Sequence, residues 1–403
     1  MTVRPAGRHW LLVWGTVFVC SWGGNQFSPM LLLYEQREHF SPVFVTSLLG
    51  VYVLGLAPAL LVAGSLSDRH GRRPVMVVGV VAALLGSGML ALGGLNGAFL
   101  VAGRLLSGVT VGVAMAVGTS WVKELSQSPW DQGADRSAGA RRAALAFTLG
   151  SGLGALIAGL LAQWGPYPEV LPFLIHLAVT APFLVIVARA PETNLLGGVS
   201  GPWWRQLRVP SAGHRRFVRV VAVAAPWIFL SAAVGYGYLP TRLAAATGEN
   251  GLLFATAATV VALGVSSLVQ PLAKRLHSPR SARGLVTAVF VMAAGLALVT
   301  GAVAVQSVWL GIVANAVIGA GMGIALVSAL LEVQAIATDR DLAGLTGVFY
   351  AVAYVGFLAP AGIAALAGAV PVTTILLVVT ALAVVAGAVV LASSRRYLQR
   401  PPA

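Results

Sequence analysis

The chain has 403 residues, of which 58% are hydrophobic and only 9% are charged, and its mean hydropathy is +0.87. Soluble globular proteins carry about 25% charged residues, so this chain has too few charges to cover a water-exposed surface, and that class is excluded. The net charge of +14 therefore bears on orientation in a membrane rather than on nucleic-acid binding.

Apolar segments separated by charged or Pro/Gly-rich clusters recur along the whole chain. Each is long enough to cross a hydrocarbon core of about 30 Å, and unpaired backbone groups are costly in lipid, so each segment is predicted to be a helix. The sequence thus predicts an all-α membrane protein with twelve transmembrane helices. The predicted spans are 10–34, 43–65, 74–94, 97–121, 143–164, 170–189, 217–239, 252–272, 284–305, 308–335, 342–366 and 371–392.

The basic residues predict how the chain is oriented. With the N-terminus in the cytoplasm, all Lys and Arg except Arg37, Arg104 and Arg242 fall at cytoplasmic ends, connections or tails. This is the asymmetry expected of a multi-pass protein. Both termini are therefore predicted to be cytoplasmic, in the inner or plasma membrane of a cell.

The longest interruption of the apolar pattern runs from Pro191 to about Arg216 and contains Trp203–Trp204 among arginines. Such a segment either lies at the level of the lipid headgroups or serves as a plain linker. It predicts three regions. They are an N-terminal six-helix bundle over 1–193, a central cytoplasmic linker over 194–216 and a C-terminal six-helix bundle with a short tail over 217–403.

The two halves show weak internal similarity. A shift of 211 positions pairs Gly108 and Gly112 with Gly319 and Gly323, and it places Asn315 where Arg104 stands. Shifts near half the chain length indicate a duplicated unit. Two six-helix bundles related by pseudo-twofold symmetry are therefore predicted.

The sharpest motif lies at the end of span 2. Gly64 is expected to let another helix approach closely, and Gly71 permits a tight turn. Asp68 is an acid among arginines, which an ordinary positive-inside loop does not need. The predicted site of conformational gating is Gly64, Asp68, Arg69, Gly71, Arg72 and Arg73. The corresponding segment of the second half, Gln270–Arg275, lacks the acid and the glycine, so the gate is predicted on one half only.

This motif resembles the major facilitator superfamily, whose loop between helices 2 and 3 carries the pattern G-x-L-x-D-R-x-G-R-R/K. Pro191-Glu192-Thr193 at the end of span 6 is also similar to that family. The resemblance implies two six-helix bundles and alternating access. It also implies that the loop stabilises the outward-open state from the cytoplasmic side, where span 11 is predicted to begin near Asp339.

Three residues are candidates for proton coupling. Arg104 lies inside span 4, where it either faces the bundle interior or snorkels to the outer interface. Gly108 and Gly112 follow on the same face and form a stripe of small residues, which favours close contact between helices. The resemblance implies a coupling role for an Arg followed by glycines in this span. His176 in span 6 titrates in a suitable range but is also typical of a hydrogen-bonded structural residue. Glu332 lies near the cytoplasmic end of span 10.

Polar and aromatic side chains at membrane depth are candidates for a solute cavity. Trp22, Asn25, Gln26 and Pro29 share one predicted helical face of span 1. The two amides, Asn25 and Gln26, would be costly toward lipid, so they either line a cavity or bond to neighbouring helices. The other candidates are aromatic or amide residues in spans 7, 10 and 11, for which packing is the alternative. They are Trp227, Asn315, Tyr350 and Tyr354, and Arg104 of span 4 is a further candidate for the cavity.

The motifs of soluble enzymes are missing from the sequence, which has no P-loop, no Cys/His metal cluster and no nucleophile elbow. No enzyme activity, cofactor or metal is therefore predicted. The expected partners are a small-molecule solute, protons and the lipid bilayer, without nucleic acid, and the chain is expected to be a monomer. No Asp or Glu lies deep in spans 1, 4, 5, 7 or 11, which favours a neutral or weakly amphipathic solute.

These observations predict a secondary active transporter that works by alternating access. Proton-coupled export of a drug-like or metabolite solute is the first hypothesis. Span 5 carries Gly154–Ala155 where antiporters of the resembled family carry Gly-Pro, so export is favoured but not decided. Import or uniport of a small neutral nutrient is the alternative, followed by a non-transporting receptor or assembly factor.

Overall fold

The computed structural model describes residues 8–396 except 136, 195–207, 277, 279 and 339–340, and it leaves out the side chain of Lys274. The described part is helical throughout, without β-strands. Most of the predicted linker 194–216, and Asp339, lie outside the described residues.

In the described residues, the membrane-spanning part of the chain consists of thirteen helices. They are α1 Trp10–Asn25, α2 Met30–Gln36, α3 Pro42–His70, α4 Arg72–Ala91, α5 Gly97–Leu125, α6 Ala138–Trp164, α7 Leu171–Arg189, α8 Phe217–Arg242, α9 Gly251–Leu276, α10 Arg283–Ala304, α11 Val308–Ile336, α12 Leu342–Leu366 and α13 Val372–Ser393.

Eleven helices of the described part are long and apolar enough to cross a membrane. The first predicted span differs, because it is divided into α1 and α2 by a turn over 26–29. A proline cannot supply an N–H inside a helix, and Pro29 stands at the start of α2. With this divided span, the twelve predicted spans are all present, but Pro29 does not continue the regular helical face of Trp22.

Several spans depart locally from regular α-helix. A π-helical turn covers Ala114–Gly118 in α5 and another covers Ala233–Tyr238 in α8. In α12 a 3₁₀ turn covers Val355–Leu358, and Pro360 follows two positions after its end. Such turns are common at functional positions of helices.

The helices group into two compact units. Unit 1 comprises Met1–Phe27 and Val51–Leu207, and unit 2 comprises Ser28–Gly50 and Arg208–Ala403. Unit 1 has an apolar core that includes Val17, Met76 and Trp121. Unit 2 has two such cores, one around Met292 and Phe349 and one around Tyr238 and Leu296.

Candidate functional site

The predicted turn of the gating motif consists of a single residue. Helix α3 continues to His70 and α4 begins at Arg72, so Gly71 alone joins them. Its φ is +97°, a region that favours glycine. A Cβ there would lie 2.6 Å from Glu192 Oε2. The turn therefore needs glycine for both its backbone angle and its contact.

Arg72 holds two carboxylates at this turn. Its Nη1 lies 2.6 Å from Asp68 Oδ1 and its Nη2 lies 2.9 Å from Glu124 Oε1. Nη1 also donates to Ser67 Oγ at 2.6 Å. The Arg72 side chain is only 15% exposed, whereas the side chains of Asp68 and Glu124 are 51% and 35% exposed. The pair with Glu124 is therefore the better protected from solvent. Arg72 thereby connects the end of α3 to the end of α5.

Glu192, which follows α7, caps the start of α4. Its two oxygens accept the backbone N–H groups of Arg72 and Arg73, both at 2.9 Å. They also accept the N–H groups of Thr193 and Asn194 at 3.1 Å. Partial burial acts to raise the pKa of the Glu192 carboxyl, but the four N–H donors outweigh it and the pKa is lowered. A carboxylate at a helix N-terminus is also favoured by the helix dipole.

The chain after α7 is bonded to the same turn by its neighbouring residues. Asn194 donates its side-chain N–H groups to the carbonyls of Ser67 and Asp68 at 3.1 and 2.8 Å. Thr193 donates its hydroxyl to Glu124, and Trp121 Nε1 donates to Pro191 O at 3.0 Å. These hydrogen-bonded residues are here called the Arg72 cluster. Its members are Ser67, Asp68, Gly71, Arg72, Glu124, Glu192, Thr193 and Asn194.

Three other predicted members of the gating motif have different surroundings. Arg73 donates its Nε to the Ala190 carbonyl at 3.0 Å, and Arg69 is partly buried on the last turn of α3. A Cβ on Gly64 would meet no described atom within 4 Å, so no helix packs closely against it in this conformation. Sequence reasoning missed Glu124 and Asn194, which have no motif of their own.

Arg104 is buried inside unit 1. Its side chain is 2% exposed, and Nη1 donates to the carbonyl of Gly24 in α1 at 3.3 Å. The guanidinium carbon lies 4.7 Å from the ring centre of Phe27 and 4.4 Å from that of Tyr52, within the range of cation–π attraction. Of the two positions left open by the sequence, the bundle interior is the one observed.

The glycine stripe beside Arg104 allows close contact between helices, as predicted. A Cβ on Gly108 would lie 2.0 Å from a backbone oxygen of α3, and one on Gly112 would lie 2.7 Å from another. In unit 2, Cβ atoms on Gly319 and Gly323 would lie 2.3 and 2.1 Å from backbone oxygens of α9. The residues that the shift of 211 relates therefore do the same packing in each unit.

The same shift relates the bonds of Arg104 and Asn315. Asn315 donates its side-chain N–H groups to the carbonyls of Gly235 in α8 and Gly311 in its own helix, at 3.2 and 2.9 Å. Gly235 is the counterpart of Gly24 under the shift of 211. In both units a polar side chain of the fourth span thus bonds to a glycine carbonyl of the first.

A buried polar chain connects Gln26, Ser87 and His176 in unit 1. Gln26 Nε2 donates to Ser87 Oγ at 3.1 Å, and Ser87 Oγ lies 2.7 Å from His176 Nδ1. His176 Nε2 lies 2.9 Å from the carbonyl of Val19. His176 is fully buried. Asn25, the remaining amide candidate of span 1, is partly exposed at the end of α1.

Glu332 forms a buried ion pair with Arg216, a residue that the sequence did not single out. Arg216 Nε and Nη2 donate to the two Glu332 oxygens at 2.5 and 2.7 Å. Arg216 Nη1 also donates to the carbonyls of Ser394 and Arg396 at 3.3 and 3.1 Å. The side chains of Arg216 and Glu332 are only 4% and 9% exposed. This pair connects the ends of α8, α11 and α13.

The aromatic candidates of α12 pack against α8. The Tyr354 ring stacks on Phe229 at a centroid distance of 3.9 Å and a 9° interplanar angle. The ring centre of Tyr350 lies 6.4 Å from that of Tyr354. Trp227 is partly buried against both apolar cores of unit 2. Phe229, Tyr350 and Tyr354 therefore form one aromatic cluster within unit 2.

Unit 2 also contains an ion pair between α2 and α8. Arg242 Nη2 lies 3.5 Å from Glu35 Oε1, and its guanidinium carbon lies 5.2 Å from the Tyr238 ring centre. In the described part of the chain, no group of three or more His, Cys, Asp or Glu residues could hold a metal ion.

Comparison with known proteins connects this arrangement to a family. The sequence profile of the Major Facilitator Superfamily matches residues 13–358. The methylenomycin A resistance protein of Bacillus subtilis is 31% identical over 195 residues, which are 45% of this chain and 40% of that protein. The multidrug efflux pump LfrA of Mycolicibacterium smegmatis is 33% identical over 174 residues, which are 40% of this chain and 32% of that protein. Each match thus spans less than half of the relative's length.

Similarity to solved structures concerns the fold. The crystal structure of a POT family transporter in complex with 5-aminolevulinic acid superposes with a TM-score of 0.78. The two sequences are 14% identical, and the superposition covers 98% of this chain and 97% of that one. At this identity only the all-helical transporter fold is shared.

Proposed function

Because the chain belongs to the Major Facilitator Superfamily, we propose that it is a secondary active transporter that exports a small drug-like or metabolite solute by alternating access. Support for export comes from its partial similarity to the methylenomycin A resistance protein and to the efflux pump LfrA. Coupling to protons is part of the proposal, since no nucleotide-binding motif is present in the sequence to supply another energy source.

The Arg72 cluster is the observation that carries this proposal. Arg72 is shared between Asp68 and Glu124, and Glu192 caps the helix that Arg72 begins. An arginine with two carboxylate partners can exchange one of them when the helices move, at a smaller cost than breaking a single pair. We propose that this exchange sets the relative stability of the two states of the transporter.

The moving bodies are proposed to be the bundles 1–193 and 217–403, with the linker 194–216 and both termini in the cytoplasm. The positive-inside distribution of Arg supports this orientation. It can be measured by labelling single cysteines in a chain whose native Cys20, which is buried, is replaced by alanine. A cysteine at His70 that reacts only with permeant reagents supports the orientation, whereas labelling by an impermeant reagent in intact cells rejects it.

Within unit 1, Arg104 is the proposed coupling residue. His176 is fully engaged in hydrogen bonds, and Glu332 is held by two bonds from Arg216. Their contacts favour structural roles. Arg104 is buried and its donor reaches a backbone carbonyl of α1, so a change of its bonds would be transmitted to the first span.

The experiment is solute flux in vesicles reconstituted with the purified chain, with and without a pH gradient. Nile red and N-phenyl-1-naphthylamine, which are uncharged fluorescent solutes without an amide group, are suitable probes for a first comparison. We expect flux driven by the gradient in the wild type and its loss in Asp68→Asn, with unchanged insertion. Asp135→Asn is the matched control, because Asp135 is exposed and also pairs with an arginine. Gradient-independent flux of both probes would favour uniport, and normal flux in Asp68→Asn would reject the gating role.

A further inference from the structure

Two polar atoms of α1 and its following turn are buried without a hydrogen bond in the described part of the chain. They are the side-chain carbonyl oxygen Oε1 of Gln26 and the indole Nε1 of Trp22. Gln26 is 0% and Trp22 is 6% exposed. More than about 90% of buried polar groups in folded proteins are paired, so one unpaired acceptor and one unpaired donor four residues apart require an explanation.

The polar chain of unit 1 determines which way the Gln26 amide points. His176 Nε2 lies 2.9 Å from the Val19 carbonyl, which can only accept, and 3.2 Å from the Thr180 hydroxyl, which can accept as well as donate. Nε2 therefore carries the proton. In the neutral ring Nδ1 is then an acceptor, and the Ser87 hydroxyl must donate to it over 2.7 Å. Ser87 Oγ can therefore only accept from Gln26, which fixes the N–H₂ group of Gln26 toward Ser87.

Donor and acceptor chemistry fixes this orientation of the amide. The reversed orientation would put two acceptors, or two donors, against each other. Oε1 of Gln26 is consequently the atom that is left without a partner. His176 and Ser87 act as positioning residues for this acceptor.

Trp22 is held beside the same histidine. Its ring centre lies 6.0 Å from that of His176. A Cβ on Gly154 of α6 would lie 2.8 Å from Trp22 Cδ1, and a Cβ on Gly23 would lie 2.9 Å from His176 Cε1. The two glycines thus let both rings pack directly against backbone. Gln26 directly follows α1, and its backbone N–H donates to the Trp22 carbonyl at 3.1 Å. The two side chains are therefore one helical turn apart and are neighbours along the first span.

We propose that the Trp22 indole N–H and the Gln26 side-chain carbonyl form a hydrogen-bonding subsite for an uncharged solute that carries an adjacent acceptor and donor, such as a lactam or a primary or secondary amide. The solute's carbonyl accepts from Trp22 and its N–H donates to Gln26. This inference rests on the proposed transport function, because it assigns a chemical class to the solute.

The surroundings argue against charged solutes at this place. A carboxylate has acceptors only and would face the Gln26 oxygen with another lone pair. A cation would meet the positive charge of Arg104, which bonds to Gly24 on the same stretch of α1. A neutral amide satisfies both unpaired atoms without introducing a charge into a buried region.

The test compares two probes that differ in one hydrogen-bond donor. 2-Quinolone has a lactam N–H and C=O, whereas N-methyl-2-quinolone keeps the carbonyl and lacks the donor. Binding of each to the purified full chain is measured by equilibrium dialysis at neutral pH. We expect about tenfold tighter binding of 2-quinolone, since leaving the buried Gln26 oxygen unpaired costs about that factor in affinity.

The variants separate a solute contact from a structural role. Trp22→Phe keeps an aromatic side chain and removes the unpaired N–H, so it should weaken binding of both probes several-fold. Because phenylalanine is smaller than tryptophan at this buried position, the melting temperature is measured in parallel, and affinities are compared on the folded fraction. Gln26→Met and Ser87→Ala should each reduce the preference for 2-quinolone toward one. Trp164→Phe and Gln306→Met are matched controls at exposed positions and should change neither affinity.

Equal affinities for the two probes, no binding of 2-quinolone up to its solubility limit, or unchanged binding in Trp22→Phe would each overturn the subsite. The flux assay with Nile red and N-phenyl-1-naphthylamine is independent of these two probes, because neither dye carries an amide. Gradient-driven flux together with equal affinities for the two quinolones therefore rejects the subsite and leaves the transport function standing. Absent flux together with selective binding of 2-quinolone rejects the transport function and leaves the subsite standing.

Discussion

Replacing Arg216 by methionine is expected to destabilise unit 2 strongly. The substitution leaves the Glu332 carboxylate buried, and in the described part of the chain its oxygens are bonded by Arg216 alone. Removing one partner of a buried ion pair costs about 3–5 kcal/mol, because the remaining charge stays unpaired. For a unit of roughly 200 residues, each kcal/mol shifts the melting temperature by about 2–4 °C, so a decrease of about 6–20 °C is expected.

The two partners of this pair are not equivalent. Glu332→Gln leaves Arg216 with the carbonyls of Ser394 and Arg396 and with a neutral acceptor at position 332. Its cost should therefore be about 1.5–3 kcal/mol, the range for a hydrogen bond to a charged group. The double substitution Arg216→Met with Glu332→Met buries no charge and should be more stable than Arg216→Met alone.

The melting temperatures of the wild type, the two single variants and the double variant are measured in detergent by thermal unfolding followed by fluorescence-detected gel filtration. The control variant is measured under the same conditions. Arg215→Met is the matched control, because it removes the same charge from an exposed neighbouring position and changes the positive-inside balance equally. The reasoning is refuted if Arg216→Met melts no earlier than Arg215→Met, or if the double variant is the least stable of all.

Three further outcomes are expected from the contacts of unit 1. Gly71→Ala should lower the melting temperature because a Cβ would lie 2.6 Å from Glu192 Oε2 at a φ of +97°, whereas Gly64→Ala, in open space, should be neutral. The melting temperature of the wild type should exceed that of Glu192→Gln by its full margin above pH 4.5. This difference should decline as the pH falls through the lowered pKa of the Glu192 carboxyl in the folded protein, and melting curves at each pH measure it. Gly108→Ala, with a Cβ 2.0 Å from a backbone oxygen, should reduce the yield of folded protein. Gly152→Ala is the control and should not reduce it, because a Cβ there meets nothing within 4 Å. Equal yields of the two variants would contradict the close packing of α3 and α5.

The gating motif shows how far local sequence patterns reach. The turn at Gly71 and the pairing of Asp68 with Arg72 follow from neighbouring residues, and both are observed. Glu124 and Asn194, which complete the cluster, come from distant parts of the chain. A single Glu near a span end carries no local pattern, so only packing could identify it as a partner of Arg72.

Gly64 illustrates a limit of such patterns. Its position in the motif predicts a close helix contact, but no described atom comes within 4 Å of a Cβ placed there. The glycines at 108 and 112, by contrast, contact the backbone as predicted. Close packing depends on which face of the helix meets a neighbour, and a lone glycine does not specify that face.

The amino-acid sequence by itself determined the membrane class, the helical spans and the family. These depend on hydropathy, on basic residues near span ends and on a short contiguous motif, and each can be evaluated without knowing which helices touch. Only the tertiary structure decided the pairing of buried polar groups. Arg104 with Gly24, Gln26 with Ser87 and His176, and Arg216 with Glu332 join positions far apart in the chain. A buried polar atom takes whatever partner packing brings within about 3 Å, and helix packing is a property of the folded molecule.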